Sequence, residues 1–105
     1  MYNTDEEWKA SYATEVKNRL YLTAFSDVVY ADHFKQRLKE RKIRVPTIKT
    51  LIYGEIVAVH MRNGKIERAI IEVKASEKFN RRFVIYFDNK TLIFVTTFLR
   101  YRKGE

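Results

Sequence analysis

Cysteine is absent from the sequence, which excludes disulfide bonds, thiol nucleophiles and thiolate metal sites. Glycine is scarce, with three in 105 residues, and none belongs to a loop of the kind that cradles nucleotide phosphates. The two histidines, His33 and His60, stand far apart with no carboxylates grouped around either, so no metal-ligand pattern forms and no metal or cofactor is expected. No serine-nucleophile motif can be recognised. Nucleotide hydrolysis and esterase chemistry are thereby disfavoured. Long apolar runs are missing too: residues 92–99 form the longest near-apolar stretch, interrupted by Thr96 and Thr97, far short of the roughly 20 residues of a membrane-spanning helix. The first seven residues have neither the positive start nor the apolar block of a secretory signal. The expectation is a cytoplasmic protein with no membrane partner.

What the chain does have is positive charge: 21 lysines and arginines against 13 acids, net +8. It is unevenly placed. Residues 1–30 hold three basic and five acidic side chains, and the remainder holds 18 and eight, net −2 and +10. A field of that sign draws polyphosphate, and each phosphate neutralised releases counterions. Nucleic acid is the first expectation for a partner and an acidic protein the second. An apolar share of 46% is enough to bury a core, and the length suits one domain over residues 1–105.

Periodicity changes along the chain. Trp8, Tyr12, Val16 and Leu20 recur every four residues and predict an acidic amphipathic helix over 5–22, within a segment ending at residue 24, with Thr4 and Glu7 as a capping box. Residues 25–30 read as a connector, either loop or short extended piece. Phe34 and Leu38 make the apolar ridge of a basic helix over 31–41. Pro46 suits the start of a short third helix, with Ile48, Leu51 and Ile52 inward and Gly54 as a left-handed stop, so residues 31–53 form a two-helix unit. After Gly54 the period becomes two. Strands are expected over about 55–62, 65–74, 81–88 and 91–100, with Asn63-Gly64 as a two-residue hairpin turn and Asp88-Asn89-Lys90 as another. The predicted fold is α+β, with N-terminal helices packed on a four-stranded antiparallel sheet spanning 55–101.

Two sets of side chains can carry chemistry. On the basic helix, His33, Arg37 and Arg41 fall at i, i+4 and i+8 and form one stripe beside the Phe34/Leu38 ridge, with Arg44 following. That stripe reads either as a phosphate-gripping edge or as a solvated helix face. On the strands, Arg82, Val84, Tyr86 and Asp88 alternate with Phe83, Ile85 and Phe87, so Arg82 and Tyr86 project away from the core, as do Arg68, Glu72 and Lys74. With His60, this face has the cations and rings to hold an RNA backbone and stack bases, or it is ordinary outward decoration. The last strand, with Leu92, Phe94, Thr96, Phe98 and Arg100 on one side and Ile93, Val95, Thr97, Leu99 and Tyr101 on the other, is apolar on both faces and reads as central. Metal-free RNA cleavage by the ribose 2′-hydroxyl needs a base, an acid and cations around the phosphorane, and histidine, arginine, lysine and tyrosine suffice.

The basic helix with His33, Arg37 and Arg41, the following Ile43, the short helix ending at Gly54, and the closing strand Ile93-Phe94-Val95-Thr96-Thr97-Phe98-Leu99-Arg100 resemble the RelE/ParE-like toxin superfamily of barnase/EndoU/colicin/RelE-type fold. More narrowly they resemble a small-domain branch with a histidine-to-arginine helix. The resemblance covers about residues 28–101 and leaves the acidic first helix outside it. It implies a compact ribonuclease-like fold, mRNA cleavage in many members, some of it ribosome-associated, and a protein antitoxin. By position, His33, Arg37 and Arg41 fall on the branch's helix residues, and Thr97 and Arg100 on its final strand. The leading expectation is a metal-independent endoribonuclease. His33, Tyr86 and Arg100 are its catalytic candidates, and Arg37, Arg41, Arg44, Arg68 and Arg82 its nucleic-acid contacts. The alternatives are a noncatalytic nucleic-acid-binding module and a phage or mobile-element inhibitor directed at an acidic host protein. The acidic first helix is a candidate internal shield for the basic site, a candidate homodimer contact, or support for a binding function that has replaced catalysis.

Overall fold

A computed structural model describes the backbone of residues 5–22 and 27–101, and side chains from residue 12 to 21 and from 27 to 101. Over these the order is α1 (Asp5–Leu22), β1 (Asp27–Tyr30), α2 (Asp32–Arg41), α3 (Ile48–Ile52), β2 (Glu55–Arg62), β3 (Lys65–Lys74), β4 (Phe79–Asp88) and β5 (Thr91–Tyr101). The fold is α+β. The sheet, however, is five-stranded and mixed, in the order β1-β5-β4-β3-β2, where a four-stranded antiparallel one was expected. The added strand lies in the segment read as a connector: Asp27–Tyr30 runs parallel to β5, Val28 opposite Leu92 and Tyr30 opposite Phe94. Four residues are too few to display a period, and the partner strand lies at the far end of the chain.

Helix α1 turns Val16 and Leu20 into the core, as their spacing predicts. Thr4 and the side chains of Glu7 and Trp8 lie outside the described residues. The Lys17 ammonium donates to the carbonyls of Ile52 and Gly54, tying α1 to the start of β2, and its burial there lowers the lysine's pKa. Helix α2 buries Phe34 and Leu38 and ends at Lys42, whose left-handed conformation (φ 51°, ψ 48°) returns N–H groups to Leu38 and Lys39. Helix α3 begins one turn position later than the proline suggests. Thr47 is its N-cap and exchanges bonds with Thr50 in a capping box, while the Pro46 carbonyl accepts from the Tyr30 hydroxyl at 2.9 Å.

The core sits between these helices and one face of the sheet. Leu51, Ile56, Ala69, Ile71, Ile85 and Leu92 join Val16, Leu20 and Leu38 there. Four rings close its α2 side: Tyr30 stacks on Phe94 at 5.0 Å, and Phe34 lies 5.3 Å from Phe94 and 6.3 Å from Phe83. Both turns follow the sequence expectation, with left-handed Asn63 and Gly64 closing β2–β3 and left-handed Asn89 closing β4–β5. In β5 the simple alternation fails. Val84 pairs with Thr96 but Ile85 with Phe94, so Val95 is an extra bulge residue. Beyond it the strand's facing inverts, and Thr97 joins Phe94 on the core side at 2% exposure, not the side opposite Phe94 on which strict alternation would place it.

Candidate nucleic-acid interface

The sheet divides the candidate residues between its two sides. On the side covered by the helices, α2 turns Phe34 and Leu38 inward, so its stripe of His33, Arg37 and Arg41 runs along one flank. The stripe has internal structure: the Arg37 Nε donates to His33 Nε2 at 3.4 Å. Lys35 and Lys39 occupy the other flank. There, with Tyr30, Leu38, Ile43 and Val45, they line an apolar groove of about 520 Å³. Residues 32–49 hold seven lysines and arginines against Asp32 and Glu40. Among the described residues none of the seven is in an ion pair, the two pairs there being Arg62–Glu67 and Arg82–Glu72.

On the uncovered face stand the strand candidates. Register sets His60 opposite Arg68 and Arg68 opposite Tyr86, and Tyr86 faces Ile93 across β5. Neighbouring strands lie about 4.8 Å apart, so imidazole, guanidinium and phenol form one row across three strands. Arg82 is committed elsewhere. Its Nε donates to Glu72 Oε1 at 2.7 Å, and Asn80 donates to the other carboxylate oxygen at 3.1 Å. Arg100 sits opposite Asn80 near one end of the face. A hollow of about 310 Å³ opens at the turn end, lined by Arg19, Arg62, Lys65, Glu67 and Tyr86 among others.

No family model, curated protein or solved structure matches this chain. The structure brings His33, Arg37 and Arg41 together on α2, and brings Arg68, Tyr86, Arg82 and Arg100 onto the opposite side of the sheet. His33 does not meet Tyr86 or Arg100 about one phosphate. Arg44 lies in the exposed link after α2.

One further residue lies on the helix-covered side of the sheet and was not among the sequence candidates. Arg81 alternates in phase with Phe83, so it faces the helices, and its Nη1 donates to Thr97 Oγ1 at 3.3 Å. Thr97 in turn donates to the Arg82 carbonyl at 2.9 Å. Partial burial, and then the charge of Arg41, hold the Arg81 guanidinium below its ordinary pKa. The signal was present in the strand's alternation: a residue two before Phe83 shares its face.

Proposed function

We propose that this chain is a metal-independent endoribonuclease that grips RNA along the α2 flank. The observation carrying the RNA part is the run of seven cations over residues 32–49 without an ion pair among the described residues. A helix face serving only solubility commonly interleaves opposite charges at i, i+4 spacing. Here the two acids leave a net charge of +5 over that segment, and phosphates are the ligand that neutralises such a stripe. His33 is the imidazole on this flank and in this reading exchanges the proton, while Arg37 and Arg41 hold the phosphate whose charge grows as the 2′-hydroxyl attacks. Tyr86 and Arg100, on the other face, take no part in that step. The resemblance to RelE/ParE-like toxins over residues 28–101 points the same way and adds a protein antitoxin as expected partner.

A second reading rests on a specific observation, the register row His60, Arg68, Tyr86 on the uncovered face. The same reaction there would pair an imidazole and a phenol across a guanidinium. One experiment separates the readings: incubate the full chain with total RNA in chelator, map the ends, and compare His33→Ala with His60→Ala. Loss of cleavage in His33→Ala alone supports the α2 flank, and loss in His60→Ala alone supports the sheet face. Cleavage of 2′-deoxy RNA rules out both. Salt-sensitive binding without cleavage leaves a noncatalytic nucleic-acid module, and absence of both turns the search to an acidic protein target.

A further inference from the structure

We propose that the uncovered face of the sheet is a contact between two copies of this chain, stacked sheet against sheet about a two-fold axis near Val84. The dimer goes beyond the α2 reading and leaves that flank facing outward on each copy.

Helices α1, α2 and α3 pack on β2, β5 and β3, and all three bury their apolar side chains in one core on one side of the sheet. Among the described residues no element covers the other side. A sheet with one face in water alternates apolar-in with polar-out, and the middle of this sheet departs from that rule. Register sets Ala58 opposite Ile70, Ile70 opposite Val84 and Val84 opposite Thr96, one row across four strands on the uncovered side. All four are only half-buried. The neighbouring row extends the patch to the sheet edge: Tyr86 stands opposite Ile93, and Ile93 opposite Val29, which is 43% exposed. Phe98, opposite Arg82, adds a ring at 38% exposure. A continuous apolar surface of this kind gains by being covered.

Charge selects what covers it. Two copies at +8 each repel unless they meet where charge is already cancelled. On this face Glu72 holds Arg82 at 2.7 Å, and Glu67 holds Arg62, which alternates in phase with His60, at 3.4 Å. Arg68 stands two residues from Ile70 toward the turn end, outside the apolar row. The seven cations of residues 32–49, without an ion pair among the described residues, draw anions to the α2 side and turn a second copy away from it. An acidic protein or a nucleic acid finds its complement there, and a second copy finds its own on the sheet face.

Size agrees with that choice. A five-stranded sheet with strands about 4.8 Å apart, the longer ones about 30 Å long, presents roughly 600 Å² on one side. Two such faces together bury roughly 1,200 Å², which reaches the range of stable interfaces. Val84 stands near the middle of the patch, with Ile70 and Thr96 beside it. In an isologous contact centred there it meets Val84 of the second copy, with the two sheets about 10 Å apart.

Sedimentation velocity of the full chain over a dilution series is expected to show a species of twice the monomer mass that dissociates on dilution. Val84→Glu sets two carboxylates against each other across the axis and is expected to weaken the dimer about a hundredfold, with circular dichroism confirming the fold. Wild-type methyl resonances give a readout that needs no variant. On dilution those of Ile70, Val84 and Ile93 are expected to shift, and those of Ile48 and Ile52 on the helix side to stay. A chain that is monomeric throughout the series overturns the proposal. So does a dimer that persists in folded Val84→Glu, or whose dilution shifts fall on the helices. A monomer that loses single-stranded RNA binding in folded Val84→Glu gives the face to RNA instead. The α2 reading stands or falls separately, because substitutions of Arg37 and Arg41 leave this contact untouched.

Discussion

A β-carbon at position 54 would lie 2.4 Å from Ile71 Cγ2 and 3.0 Å from the Glu72 carbonyl, and the latter is backbone that cannot swing aside. Gly54→Ala is therefore expected to destabilise the fold by about 1–3 kcal/mol, the usual cost of forcing atoms into a packed interior. Urea unfolding monitored by circular dichroism measures it, and a change within experimental error would show that β2 and β3 can part without cost. The sequence marked this glycine for a different reason, as a left-handed helix stop. Instead Tyr53, in right-handed conformation, closes α3, and the demand at position 54 is space. A close approach between strands leaves no trace in local pattern, so the position was legible and its cause was not. Arg81 is the reverse case. Its facing could be read from Phe83 two residues on, yet nothing local shows that it donates to Thr97, 16 residues further along the chain.

At the scale of elements, α1, α2 and the β2–β3 hairpin follow from period and turn chemistry, because their bonds and apolar stripes are local. Strand β1 does not, since its four residues acquire a partner only when β5 is in place. The Val95 bulge is similarly invisible, because two-residue alternation continues smoothly through it in sequence while the pairing slips by one. Strand β1 supplies a test of its own. The Ala31 N–H donates to the Phe94 carbonyl at 3.0 Å, and alternation then aims the Val29 N–H at β5 and the Val28 N–H outward. Val29→Pro is expected to lose a ladder bond and leave a β5 carbonyl unpaired, costing about 1–3 kcal/mol. Val28→Pro, whose missing N–H faced away from the sheet, should cost much less. Equal thermal unfolding temperatures for the two variants would mean that β1 contributes no pairing.

Across the whole molecule, charge and apolar surface separate in a way the linear sequence only half displays. The count of +10 after residue 30 was readable, but not its division by the sheet into an α2 side free of ion pairs among the described residues and an uncovered face where Arg82 and Arg62 are already held by Glu72 and Glu67. That division orders the effects of substitution. If RNA lies along α2, then replacing Arg37 and Arg41 together by glutamate removes two phosphate contacts and should lower the salt slope of single-stranded RNA binding by about 1.4, at roughly 0.7 per contact. Folding should be little changed, because surface charges contribute about 0–1 kcal/mol. Arg82→Gln should do the opposite. It breaks a half-buried charged hydrogen bond of 2.7 Å, costing about 1–3 kcal/mol in stability, and leaves the slope unmoved. Arg68→Glu, on the uncovered face but outside both ion pairs, decides between the sides. A slope that falls in Arg68→Glu and holds in the Arg37/Arg41 variant would move the RNA to the sheet face, beside His60 and Tyr86, and make the cations of α2 a solubilising surface.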